Sequence, residues 1–150
     1  MTPYGKTAQH AIAAASLLAQ VYHQNKKLSS IDIAKERGLP KPVVDKVLTV
    51  LSQAGIVTGA PGPGGGYCLA KPPEKITLAD VAECFDRQQE AVSCPFGPTY
   101  CGTGNPCPLH HQLTAIRDRL VQFLKTNTLA SFAKTVKQKR PATSRAEGKP

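Results

Sequence analysis

The chain has 150 residues, of which 41% are hydrophobic and 19% charged, and its formal net charge is +9. That length suits one ordinary domain with a modest core. The longest apolar run, residues 11–19 with Ser16 inside it, falls well short of the ~20 residues a membrane span requires, so an integral membrane helix is excluded, as are a coiled-coil rod and a collagen-like repeat. The same run reads faintly as a secretory h-region, but Gln9 and His10 dilute it and the helical period continues to Tyr22. Five cysteines, three of them in one short loop, are not the even, dispersed set of a secreted disulfide framework. The expected compartment is the reducing cytoplasm.

The charge is not evenly spread. Residues 1–75 carry nine Lys/Arg against four Asp/Glu, residues 76–133 four against five, and residues 134–150 six against one. A basic front half suggests a polyanionic partner, with nucleic acid the leading candidate. The tail lacks apolar periodicity after Val136 and reads as a basic disordered segment. The expected organisation is therefore a DNA-binding region over 1–75, a loop and helix region over 76–133, and the tail over 134–150.

In chain order, Ala8, Ala11, Ile12, Ala15, Leu18, Ala19 and Tyr22 recur at three- and four-residue steps, which predicts an amphipathic helix over 6–23. Ser29 or Ser30 can cap a short helix over 31–36 that ends at Gly38. Pro40 and Pro42 mark a turn and a helix start, and Val43, Val44, Val47, Leu48 and Leu51 carry that helix to Ala54 before Gly55. Two short strands, 56–58 and 67–69, flank the linker GAPGPGGG. Thr77 and Asp80 form a capping-box-like start for a helix through Phe85. Residues 93–108, rich in Cys, Pro and Gly, exclude regular structure. Leu109, Leu113, Ile116, Leu120 and Phe123/Leu124 then make a heptad-like seam on a helix of about five turns. Thr128 can cap a last helix over 129–136.

The segment from residue 30 to 51 has the grammar of a helix-turn-helix: small Ala34 where two helices cross, Gly38 in the turn, and Val44 and Val47 on the inner face of the second helix. The strand–glycine loop–strand that follows has the form of a wing, so the expected fold is mainly α with a small β-wing, a winged helix-turn-helix plus a long dimerisation helix. Lys41, Lys46 and Thr49 fall on the polar side of the second helix and are candidates for the groove. Lys35 and Arg37 lie nearer the backbone, and Gly64 and Gly65 stand at the wing tip, the part of a wing that approaches a phosphate backbone or the minor groove. Each Lys can equally be a solvated surface charge.

Cys94, Cys101 and Cys107 are spaced C-x6-C-x5-C, with His110 three residues beyond. Thiolates on an irregular loop suit a soft metal or an iron–sulfur cluster, and structural zinc more often shows C-x2-4-C knuckles. The wide gaps fit a multi-atom cluster better than one small ion. Free or disulfide-forming thiols remain the plain alternative. His110 is a candidate fourth ligand or a helix-start residue, and Cys68 and Cys84 read as small buried residues.

The run LSQAGIVTGAPGPGGGYCLAKPPEKITLADV, with IAKERGLPKPVVDKVLTVL upstream and the three-cysteine loop downstream, resembles the IscR/NsrR-type (Rrf-two) winged-helix regulators of bacteria. The resemblance covers roughly residues 5–133. It implies a homodimer on a palindromic operator of double-stranded DNA, read through the second helix of the motif and the wing, with dimerisation through the long helix after the loop. It also implies a 2Fe–2S cluster, with 4Fe–4S the alternative, on Cys94, Cys101 and Cys107, sensing redox state, nitric oxide or iron–sulfur status. Members with a His three residues after the last Cys resemble this chain at His110. Members that take an acidic ligand from the partner's first helix differ, since Gln9 stands at that place with His10 beside it. The expected function is a cytoplasmic iron–sulfur-dependent transcriptional repressor, with no membrane partner. The rival is a cluster-free thiol or zinc switch on the same fold. An enzyme is not expected, because no C-x-x-C, catalytic triad spacing or P-loop is present.

Overall fold

The structure, a computed structural model, describes residues 5–85 and 106–134. Helix α1 spans Lys6–Val21 and ends in a single 3-10 turn over Tyr22–Gln24. It is the central element. Ala8, Ala11, Ala14, Ala15, Leu18 and Ala19 are fully inaccessible to solvent, and α2, α3, α4 and α6 all pack against this helix. Alanine permits close helix approach, because interaxial distance follows the side chains at the contact.

Helix α2 (Ser30–Arg37) opens with a capping box in which the Ser29 hydroxyl accepts from Asp32 N and the Asp32 carboxylate accepts from Ser29 N. Its end is set by Gly38 at φ 64°, in the left-handed region that glycine enters without a Cβ clash. Helix α3 (Lys41–Gln53) has Pro40 as its N-cap and Pro42 in its first turn. Its Val44, Val47, Leu48 and Leu51 are completely buried. Ile56 closes that helix by donating its N–H to Leu51 O, so the first strand starts one residue later than the apolar pattern predicts.

Strands β1 (Val57–Ala60) and β2 (Gly66–Leu69) form an antiparallel hairpin with Thr58 opposite Cys68 and Gly59 opposite Tyr67. The hairpin does not stand free. Leu28 N donates to Tyr67 O at 3.0 Å and Tyr67 N to Leu28 O at 2.7 Å, which ties β2 to the connection between α1 and α2. After a 3-10 turn at Pro73–Lys75 comes α4 (Leu78–Glu83), with a second capping box from Thr77 and Asp80. It stops two residues short of the expected end.

Helix α5 (His110–Thr126) and the short α6 (Ala130–Ala133) complete the described chain, so the part of the last expected helix beyond residue 134 lies outside it. Leu78 N donates to Asn127 O and Leu129 N to Ile76 O, both at 2.9 Å, clamping the start of α4 to the α5–α6 junction. One continuous apolar core joins residues of α1, α2 and α3 to Ile76, Leu78, Val81, Leu124 and Leu129. Among the described residues no helix is long and apolar enough to cross a membrane.

Candidate nucleic-acid interface and cysteine loop

The reading head is built by α2, the turn at Gly38 and α3. Ala34 is 7% exposed at the crossing of the two helices, and burial of one face of α3 directs its polar face outward. Lys41, Lys46 and Thr49 all lie exposed on α3, and Lys35 lies exposed on α2. Two of these have local partners: Lys41 Nζ sits 2.7 Å from Asp45 Oδ2, and the Thr49 hydroxyl donates to Asp45 O. The Asp45 carboxyl is held below its ordinary value of 3.8, first by the hydrogen bond from Lys41 and then by one from Ser30. A depressed carboxylate contributes its tie only while ionised. The ties of Asp45 to Lys41 and Ser30 are therefore complete above 3.8 and are lost as pH falls through the lowered folded value. Asp45 was not among the sequence candidates, although its i,i+4 spacing from Lys41 is the signal that finds it.

Arg37 takes a different place from the lysines. Its Nε donates to Ala13 O at 3.0 Å and its Nη2 to Ser16 Oγ at 2.9 Å. The guanidinium thus fastens the end of α2 to the middle of α1, and Ser16, the buried polar residue of α1, accepts from it while donating its own hydroxyl to Ala13 O at 2.8 Å. The structure brings Lys35, Lys41, Lys46 and Thr49 to the outer side of the motif and turns Arg37 inward.

In the wing, Gly64 is exposed at φ 74°. Gly65 has a different constraint: a Cβ there would lie 2.2 Å from Ala60 O, so the tip closes only with glycine. Of the wing cysteine and the α4 cysteine, neither is fully buried. Cys68 Sγ lies 3.3 Å from Thr58 Oγ1, and Cys84 Sγ donates to Asp80 O. Both are half-buried rather than the core residues expected.

Of the three loop cysteines, Cys94 and Cys101 lie outside the described residues. Cys107 is 5% exposed, and its carbonyl accepts from His110 N at 3.0 Å. The two residues therefore share the turn that opens α5. The His110 ring is half-buried and meets the His111 ring edge-on, centroids 5.6 Å apart. Among the described residues no three His, Cys, Asp or Glu side chains converge as a metal site. The donor types at this turn, a buried thiol and an adjoining imidazole, fit iron–sulfur ligation. His10 is half-buried and Gln9 exposed on the first turns of α1.

Residues 4–135 match the model of a family described as Rrf2, iron-dependent transcriptional regulator. The chain belongs to the Rrf2 family. A putative HTH-type transcriptional regulator of Aquifex aeolicus is 32% identical over 128 residues, covering 84% of this chain and 88% of that protein. The HTH-type transcriptional regulator IscR of Escherichia coli is 32% identical over 101 residues, 67% of this chain and 62% of that protein, so the chain spans less than two thirds of IscR. Among solved structures, CymR, the global cysteine regulator of Bacillus subtilis, superposes with a TM-score of 0.70 at 22% identity, covering 89% of this chain and 97% of that one. T. potens IscR gives 0.63 at 22% identity, covering 89% and 92%. An oxidised form of Staphylococcus aureus CymR gives 0.66 at 21% identity, covering 90% and 98%. These likenesses establish the winged-helix fold. As a member of its family the chain is a DNA-binding transcriptional regulator.

The contrast between Arg37 and Lys46 gives a direct check. Arg37→Met should lower folding stability by ~1–3 kcal/mol, the worth of hydrogen bonds from a charged donor, and leave the salt dependence of DNA binding unchanged. Lys46→Ala should leave the urea midpoint alone and weaken DNA binding. If Lys46 touches phosphate, the slope of log K against log salt becomes shallower by about one unit. A flattened slope for Arg37→Met at full stability would put its guanidinium on DNA instead.

Proposed function

We propose that this protein is a homodimeric repressor whose affinity for a palindromic operator is set by an iron–sulfur cluster, of the 2Fe–2S type, on Cys94, Cys101, Cys107 and His110. The observation that carries this reading is the placement of two features on one rigid helix. Cys107 and His110 stand at the opening turn of α5. The same helix carries an apolar stripe at heptad spacing: Leu109, Ile116 and Phe123 are 43%, 63% and 51% exposed, and Leu113 and Leu120, half-buried, fill the alternate positions. Such a stripe is the seam of a two-helix contact, so the ligand turn and the dimer contact move as one body.

In this reading residues 1–75 form the reading head, 76–133 the sensor and dimer part, and 134–150 a basic tail that adds phosphate attraction. Lys46 and Thr49 reach base edges, while Lys35, Lys41 and the wing tip at Gly64 and Gly65 take phosphates. A two-fold dimer sets the heads about 34 Å apart, one turn of DNA. When bound, a cluster supplies a group whose charge and ligation respond to redox state, nitric oxide or iron supply. The chain's own part is to keep water from the Cys107 thiol by burial and to carry any shift of the ligand turn along α5. From there it passes to α4, to α1, and through α1 to α3, since each of these packs on the next. The second reading is a cluster-free thiol or zinc switch, supported by the structural likeness to the global cysteine regulator CymR of Bacillus subtilis and to the oxidised form of Staphylococcus aureus CymR.

Protein purified without oxygen should be coloured and contain about stoichiometric iron and acid-labile sulfide per chain, consistent with thiolate-held clusters. Cys101→Ala should remove the visible absorption, and His110→Ala should leave a spectrally shifted, shorter-lived cluster. A colourless wild-type protein free of iron would favour the thiol switch. The dimer seam has its own test. Pairing the stripe with its mate buries apolar area at ~25 cal/mol per Å², so Ile116→Asp, at a position outside the core, should sediment as a folded monomer. An undisturbed dimer in that variant would rule out this seam.

A further inference from the structure

A cavity of about 670 Å³ opens where the end of α1, the 26–28 connection, α2 and α6 meet. This volume lies within the range of small-molecule sites. Its floor is apolar, from Leu17, Val21, Leu28 and Ala133, with Leu17 and Leu28 nearly inaccessible. Its polar rim is balanced in a specific way: two ammonium groups, Lys26 and Lys35; two carboxylates, Asp32 and Glu36; and two amides, Gln20 and Gln24. Among the described residues no ion pair joins these four charged groups to one another. Asp32 is held in place by its capping bonds to Ser29, at 2.8 and 3.1 Å from the hydroxyl and the backbone N–H, and its carboxyl is lowered first by Ser29 and further by the nearby Lys26 and Lys35. Charges of both signs around an apolar floor match a ligand that carries both charges on an apolar body.

We infer that this cavity is a binding site for a small zwitterion with an apolar side chain, an amino acid or a dipeptide. The ligand's carboxylate pairs with Lys26 and Lys35, its ammonium with Glu36 and Asp32, and its side chain covers Leu17, Val21 and Ala133. Such a ligand offers an opposite charge to each of the four charged rim groups, which lie exposed around the apolar floor. The site also has a consequence for the reading head. Lys35 lines the cavity on the helix that packs against α3, so an occupant that engages Lys35 draws a positive charge away from phosphate. The inference goes beyond the cluster reading and does not depend on it, because the cavity lies apart from the turn at Cys107 and His110.

The test is a titration of the full-length protein with L-leucine, L-methionine and glycyl-leucine, followed by backbone and side-chain amide resonances. At least one of the three should shift Gln20, Gln24, Lys35 and Glu36 along one saturable curve. L-Leucinamide, which lacks the carboxylate, and 4-methylpentanoate, which lacks the ammonium, should each bind about tenfold more weakly than L-leucine, the expected loss of one charge-assisted contact. Glu36→Gln should weaken binding by a similar factor without moving the urea midpoint, and Ala133→Trp, which fills the cavity, should abolish it. No shift at these residues from any of the three zwitterions would overturn the proposal. So would equal binding by the two truncated analogues, or unchanged binding by Glu36→Gln.

Discussion

The molecule depends on one helix face made almost entirely of methyl groups. The buried side of α1 is alanine at five of its solvent-inaccessible positions, with Leu18 beside them, and α3, α4 and α6 all pack against the helix. Larger residues at those positions would hold the neighbouring helices apart, since interiors are packed to crystal-like density with no slack for added methylenes. Because α1 touches both the reading helix and the elements next to α5, it is the path by which the proposed sensor region would be coupled to the reading head. A coupling between sites needs such a contiguous body with two arrangements, and here the contact order α5, α4, α1, α3 supplies the body.

Polar ties then fix the register that alanine packing leaves loose. Methyl-to-methyl contact is smooth and weakly directional, whereas hydrogen bonds of Arg37 to Ala13 O and Ser16 Oγ hold one geometry between α2 and α1. The Leu28–Tyr67 bridge does the same between the wing and the head. The wing is therefore not an independent hairpin, which in isolation would be marginal. It is tied to the connection that precedes α2, and its strands also pack on α1 and α3.

Most of the fold was legible in the sequence because it rests on local signals. The 3.6-residue period of α1 and α3, the two capping boxes at Ser29 and Thr77, and Gly38 in the turn are each decided within a few residues of chain, and the helices stand where these signals put them. What escaped was set by tertiary partners. Arg37 reads as one more basic residue beside Lys35, and only the approach of α1 turns it inward. Ser16 was the available clue, since a serine on a buried alanine face requires a partner. Ile56 continues the apolar run of the strand in sequence, yet its N–H completes the end of α3. Gly65 stands in sequence as one more glycine of the wing tip, yet its nearest constraint is the Ala60 carbonyl. Of the candidate ligands, Cys107 and His110 are brought to one turn, and their adjacency was already implied by a three-residue spacing at a helix start.

In the function proposed above, a group held at the start of α5 governs what α3 and the wing do on DNA. The most direct measurement is a pair of titrations of operator DNA and random DNA at matched salt, one with cluster-loaded and one with cluster-free protein. The account predicts operator affinities that differ by tenfold or more, about 1.4 kcal/mol and within the usual range of allosteric coupling, while affinity for random DNA stays the same in both forms. Equal operator affinity in the two forms would contradict it, leaving a winged-helix DNA-binding protein whose cysteine loop does not control the reading head.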